Sequence, residues 1–119
     1  MDNRTYKGDI GFIITKAPLE NSSIKKLLKA ALEATKNSKI GFFLISDGVF
    51  LIKKNQKNET YDIFKEIINK KVEIIVSKDH LESAGLSSDE ILSNLIISDK
   101  PYNDLVDFVM EKYERVVTI

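Results

Sequence analysis

The chain holds 119 residues, with 18 Lys and Arg against 18 Asp and Glu, one His, no Cys and a formal net charge of zero. That length is a prior for a single domain over residues 1–119, able to bury roughly two-thirds of the surface its unfolded chain exposes, and 43% hydrophobic with 30% charged residues is a globular composition. The balanced charge argues against nucleic acid or a membrane surface as partner, the missing thiols exclude disulfides, thiolate metal sites and Cys nucleophiles, and a lone His80 excludes a multi-His zinc site.

Residues 1–9 (MDNRTYKGD) form a polar N-terminal segment, too polar for a signal peptide, and no apolar run approaches the roughly 18 residues of a membrane span. The expectation is a cytoplasmic domain with no membrane contact. A first strand is predicted at Ile10–Thr15, where the run IGFIIT is continuously apolar rather than alternating. Continuous runs of this length suit strands covered on both faces, as in a parallel sheet. In Ser22–Asn37, the residues Ile24, Leu27, Leu28, Ala31 and Leu32 repeat at helical spacing, with Asn21, Ser22 or Ser23 available as the cap. A second strand follows at Lys39–Ile45. Beyond Asp47 and Gly48 comes the apolar run Val49-Phe50-Leu51-Ile52, expected either under the domain or, as the favoured reading, at a subunit interface. Lys53–Glu59 reads as a solvated turn. Thr60–Lys70 places Tyr61, Phe64, Ile67 and Ile68 on one helical stripe. A third strand is predicted at Val72–Val76, and one or two short helices in Asp79–Leu92, interrupted by Gly85. A fourth strand follows at Asn94–Ser98. Pro101–Lys112 is predicted helical, with Pro101 tolerated in the first turn and Leu105, Phe108 and Val109 facing inward. A last strand ends the chain at Arg115–Ile119.

Strands and helices alternate throughout. That order implies right-handed crossovers and a three-layer α/β/α domain around a five-stranded, mainly parallel sheet.

In such sheets ligands bind outside the carboxyl ends of the strands. Those ends read Thr15-Lys16, Ser46-Asp47-Gly48, Ser77-Lys78-Asp79-His80 and Ser98-Asp99-Lys100, a hydroxyl beside a charge each time. Two readings stand: a polar edge that binds a small molecule or a partner's tail, or Ser and Asp residues that merely cap the helices behind them. Ser77 with Asp79 and His80 tempts toward a hydrolytic triad. Successive residues rarely converge on one point, however, and no G-x-S-x-G elbow is present. Asp47, Asp79 and Asp99 would suit a hard cation if their strands were neighbours, against which stand Lys78 and Lys100. No Gly-rich phosphate loop is present. No metal or cofactor is expected.

Ile45-Ser46-Asp47-Gly48-Val49 closing the second strand, with Val72-Glu73-Ile74-Ile75-Val76-Ser77 followed by Glu82-Ser83-Ala84-Gly85-Leu86, resembles the DsrE/DsrF-like family, which includes the TusB, TusC and TusD sulfur-relay subunits. The resemblance runs from about Ile10 to Ile119. It implies a compact α/β domain that assembles into trimers or hexamers, from copies of itself or from paralogous subunits. It also implies a sulfur-carrying Cys directly after the third strand. Ser77 stands at that position, and Ala84 stands where a basic residue often precedes the family glycine. A hydroxyl cannot carry persulfide sulfur. The expectation is therefore a non-catalytic oligomeric subunit or binding module, with Thr15, Lys16, Ser46, Asp47, Gly48, Ser77, Lys78 and His80 at its pocket and Val49, Phe50, Leu51 and Ile52 at its interface. The alternative is an enzyme of another class using Ser77 with His80, or an Asp47/Asp79/Asp99 cation site.

Overall fold

The computed structural model of the protein describes residues 7–17 and 22–119. The apolar runs form β1 (Gly8–Ile14), β2 (Ile40–Leu44), β3 (Glu73–Ser77), β4 (Ile96–Ser98) and β5 (Tyr113–Thr118). Between them lie α1 (Ser22–Ala34), α2 (Glu59–Ile68), α3 (Lys78–Ser83) and α4 (Pro101–Asp107). The strands make one sheet in the order β4-β3-β2-β1-β5, with every neighbouring pair parallel. The three-layer α/β/α expectation holds.

Topology explains how the layers fill. From β1 to β4 the chain steps one strand outward each time, then returns past the whole sheet to place β5 beside β1. Right-handed crossovers put helices of the outward steps on one face and the returning helix on the other. The larger core accordingly joins Ile24 and Leu28 of α1, Phe64 and Ile67 of α2 and Leu81 of α3 to Phe12, Phe42, Leu44, Ile74 and Val76 of the sheet. The smaller one joins only Phe108 and Tyr113, with Leu105 packed against them, to Ile13, Phe43 and Ile75. Successive strand residues point to opposite faces, so each continuous run feeds both cores. The Phe42 ring stacks on Phe12 at 5.2 Å and meets the edge of Phe64 at 5.4 Å. Phe43 meets Phe108 edge-on at 5.5 Å. Each such ring contributes roughly 1.5–3 kcal/mol by leaving water.

Several boundaries moved. Gly8 and Asp9 belong to β1 rather than to a polar tail, and residues 1–6 lie outside the described ones. Asn21, a cap candidate for α1, also lies outside them. The helix α2 begins one residue early because Asn58 caps it, its Oδ1 accepting from the Tyr61 amide at 2.8 Å. The Asp79–Leu92 stretch is two short helices, α3 and a 3-10 turn at Ser88–Glu90, separated by Gly85 at φ 73°. The last helix does not run regularly to Lys112: after Asp107 it widens into a π turn, Phe108–Lys112. Phe108 is fully buried as expected, but Val109 is not inward; it is 41% exposed.

The largest correction concerns Val49–Ile52. Ser46–Ile52 is a 3-10 helix folded back onto the carboxyl end of the sheet. Val49, Leu51 and Ile52 are 0% exposed within this one chain, and only Phe50 stays half-buried. The apolar surface of Val49, Leu51 and Ile52 is spent on the larger core. Gly48 makes the fold-back possible: a Cβ at that position would overlap the Ile14 carbonyl oxygen and lie 2.6 Å from its carbon.

At the opposite edge of the sheet, Tyr113 lies across the glycines of β1 and β2. A Cβ on Gly41 would overlap its Oη and Cζ, and one on Gly8 would lie 2.6 Å from its Cδ1. Tyr113 Oη donates to Glu73 Oε1 at 3.0 Å, and Lys112 Nζ sits 3.4 Å from Glu73 Oε2. Burial first, then the Glu73 charge, push the Tyr113 phenol far above its ordinary pKa.

Candidate functional site

All five strands are parallel, so their carboxyl ends share one edge. Within it, one point is singled out by topology. The chain leaving β3 enters α3, whose Leu81 packs in the larger core; the chain leaving β4 enters α4, which packs in the smaller one. Adjacent strands whose following helices go to opposite faces define a switch point, where α/β sheets bind ligands. Here that point lies between Ser77 and Ser98, which are register partners.

Both serines are buried, Ser77 at 0% and Ser98 at 2% exposure. Ser77 ends β3 and caps α3, its Oγ accepting weakly from the His80 amide at 3.4 Å. Ser98 Oγ donates to Asp104 Oδ2 at 2.5 Å, tying the end of β4 to the first turns of α4. Charge surrounds the pair: Lys78, Asp79, Asp99 and Lys100 are all exposed beside it. His80 is half-buried. Its Nδ1 is enclosed yet bonded to nothing. An enclosed polar atom without a partner costs roughly 1–3 kcal/mol.

The other expected residues divide. Ser46 and Asp47 are exposed where the chain leaves β2, and Ser46 holds φ at 50°. That left-handed backbone is costly for a residue with a Cβ and recurs at functional loops. Gly48 is structural, as its contact with Ile14 shows. Thr15 is committed elsewhere: its Oγ1 and its amide both donate to the Ile119 carbonyl at 2.7 Å, closing β1 against β5. Lys16, beside it, is exposed.

Two chemical alternatives lose their geometry. Ser77 Oγ makes its bond with the His80 amide rather than with the imidazole, so no Ser–His pair forms. Asp47, Asp79 and Asp99 follow three neighbouring strands, yet among the described residues no group of three acidic or His side chains comes within reach of one cation.

Ser98 and Asp104 lie at this switch point and were absent from the expected pocket. Ser98 occupies the same place at the end of β4 that Ser77 occupies on β3, which is a visible signal. Its weight depends on the two strands being neighbours, and that is a property of the sheet order.

A search of curated proteins finds no match. Among solved structures, the ychN protein from E. coli superposes with a TM-score of 0.81 at 19% identity, over 93% of this chain and 98% of that one. MTH1491 from Methanobacterium thermoautotrophicum, a protein of unknown function, gives 0.69 at 15% identity, over 93% and 98%. BT1422 from Bacteroides thetaiotaomicron, also of unknown function, gives 0.66 at 16%, over 93% and 95%. At such identities these likenesses speak for the fold. The sequence itself matches the model of the DsrE/DsrF-like family over residues 8–119. The chain belongs to the DsrE/DsrF-like family.

Proposed function

We propose that this protein is a sulfur-relay-related subunit that does not itself carry sulfur. It acts in the cytoplasm as a member of an assembly, of its own copies or of paralogous DsrE-like chains, and holds a small ligand or a partner's tail at the Ser77–Ser98 switch point. One observation carries the reading. Ser77, which the family resemblance places where active carriers have their cysteine, is fully buried with its hydroxyl engaged as a helix cap. A serine hydroxyl stays protonated near neutral pH and has no sulfur to extend into a persulfide. What remains for the site is recognition. The unpartnered His80 Nδ1 offers a ligand one hydrogen bond, and the exposed Lys78, Asp79, Asp99 and Lys100 border the site with both signs of charge.

The test restores the thiol. Wild type and Ser77→Cys are incubated with inorganic polysulfide and weighed by mass spectrometry. In the variant, the thiolate attacks a polysulfide S–S bond, gains one sulfur as a persulfide and expels the shortened polysulfide. Expected are no gain in wild type and a gain of one sulfur atom in the variant, removed by dithiothreitol. Sulfur transfer by the wild type, or a variant that takes up none, refutes the reading.

A further inference from the structure

We propose that the outer face of α4 and its π turn, together with Ile96 on β4, seats the same face of a second copy of this chain across a two-fold axis. The inference rests on the assembly reading above and names the surface that makes it. Val49, Leu51 and Ile52 are already buried in the chain's own core.

The argument starts from coverage. Parallel sheets are stable when both faces are covered, and this sheet has α1, α2 and α3 on one face but only α4 on the other. Ile96 is the register partner of Ile75 and therefore points to the α4 face, one strand further out, where it is 49% exposed. The helix itself is apolar well beyond the stripe it needs. Leu105 and Phe108 face the sheet. Tyr102, Val106, Val109 and Met110 form a second stripe at i, i+4, i+7 and i+8, exposed by 70, 62, 41 and 63%. A helix apolar on two sides is one that is buried on two sides. The π turn sharpens the pattern: with more residues per turn than an α-helix, it holds Met110 in line with Val106 instead of stepping it around the axis.

Size and charge both favour a second copy as occupant. Ile96 and the four helical residues expose on the order of 600 Å², at the upper limit of what a monomer carries and close to the roughly 800 Å² per partner of a standard interface. One polar ridge borders the stripe, running from Lys100 through Asn103 and Asp107 to Glu111, all exposed. In an antiparallel two-fold pairing, both ridges fall on the same side. Lys100 of one copy then faces Glu111 of the other, twice over, with Asn103 opposite Asp107 between them. An isologous contact needs this self-complementarity. The seat also adjoins the switch point, because Ser98 fastens α4 to β4 through Asp104.

The experiment is sedimentation of wild type, Val106→Lys/Met110→Lys and Lys100→Glu at tens of micromolar, with circular dichroism to confirm folding. Both charged-for-apolar positions are exposed, so the double variant folds. Expected is an even-numbered wild-type assembly whose mass is at least halved in the double variant. Lys100→Glu weakens it, and adding Glu111→Lys restores it. An assembly that the double variant leaves intact overturns this surface while the assembly reading stands. An odd-numbered wild-type assembly overturns the two-fold pairing. A monomeric wild type overturns both readings.

Discussion

Of the glycines, Gly41 is the one where an added Cβ would come closest to a neighbour, and replacing it with Ala should be strongly destabilising. The added Cβ would overlap Oη and Cζ of Tyr113 and lie 3.0 Å from Cε2. Tyr113 has little room to retreat. It is 3% exposed, Phe108 packs against it with ring centroids 4.7 Å apart, and Gly8 bounds its other edge. Swinging the ring away also breaks its 3.0 Å bond to Glu73. Overpacking costs about 1–3 kcal/mol, and losing the bond to a charged acceptor about 1.5 more. The smaller conformational freedom of Ala in the unfolded chain returns about 0.5. The net is about 3 kcal/mol, a large share of the roughly 5–15 kcal/mol of a domain this size, or about 10 °C in Tm. Urea denaturation of Gly41→Ala, Tyr113→Leu and the double variant measures it as a cycle. If the clash is the cause, Gly41→Ala costs about 1–3 kcal/mol less in the Tyr113→Leu background. A cost below 0.5 kcal/mol in the wild-type background, or the same cost in both backgrounds, refutes the reasoning.

Two further outcomes follow from individual hydrogen bonds. Tyr113→Phe removes the bond to Glu73 and should cost about 1–2 kcal/mol between pH 7 and 9. Because the folded-state pKa of Tyr113 is raised, its contribution is complete below the unfolded value of about 10 and is lost as pH climbs above it. The gap between wild type and Tyr113→Phe should therefore narrow above about pH 10, and stability curves that stay parallel there would contradict the assignment. Asn58→Ala should cost about 1 kcal/mol, since it leaves the Tyr61 amide at the start of α2 without its acceptor; thermal unfolding of the two proteins checks it, and an unchanged midpoint would show that the cap contributes nothing.

Legibility followed distance along the chain. The strands and the helices α1 and α2 are written in local periodicity, and each appears within a residue or a few of where Ile, Val, Leu and Phe place it. The π turn is not written there, because Phe108–Lys112 looks like ordinary helix until Phe108 must reach the sheet beside Gly11 and Tyr113 must begin β5. Val109 was misplaced for the same reason. In the site, Ser77 was legible from its place after a strand and from the family pattern. Ser98 and Asp104 were not, since their meaning depends on which strand lies next to β3.

What the sequence determined by itself is therefore considerable: an alternating α/β chain, a strand-end edge rich in hydroxyls and charges, and membership of the DsrE/DsrF-like family without a single cysteine. The tertiary structure alone decided the rest. It set the order β4-β3-β2-β1-β5, the burial of Val49, Leu51 and Ile52, the pairing of Ser77 with Ser98, and the outward stripe of α4. The physical reason is that hydrophobic periodicity records how many faces of an element are apolar. Which neighbour covers each face depends on crossover handedness and strand order, and those are properties of the assembled sheet.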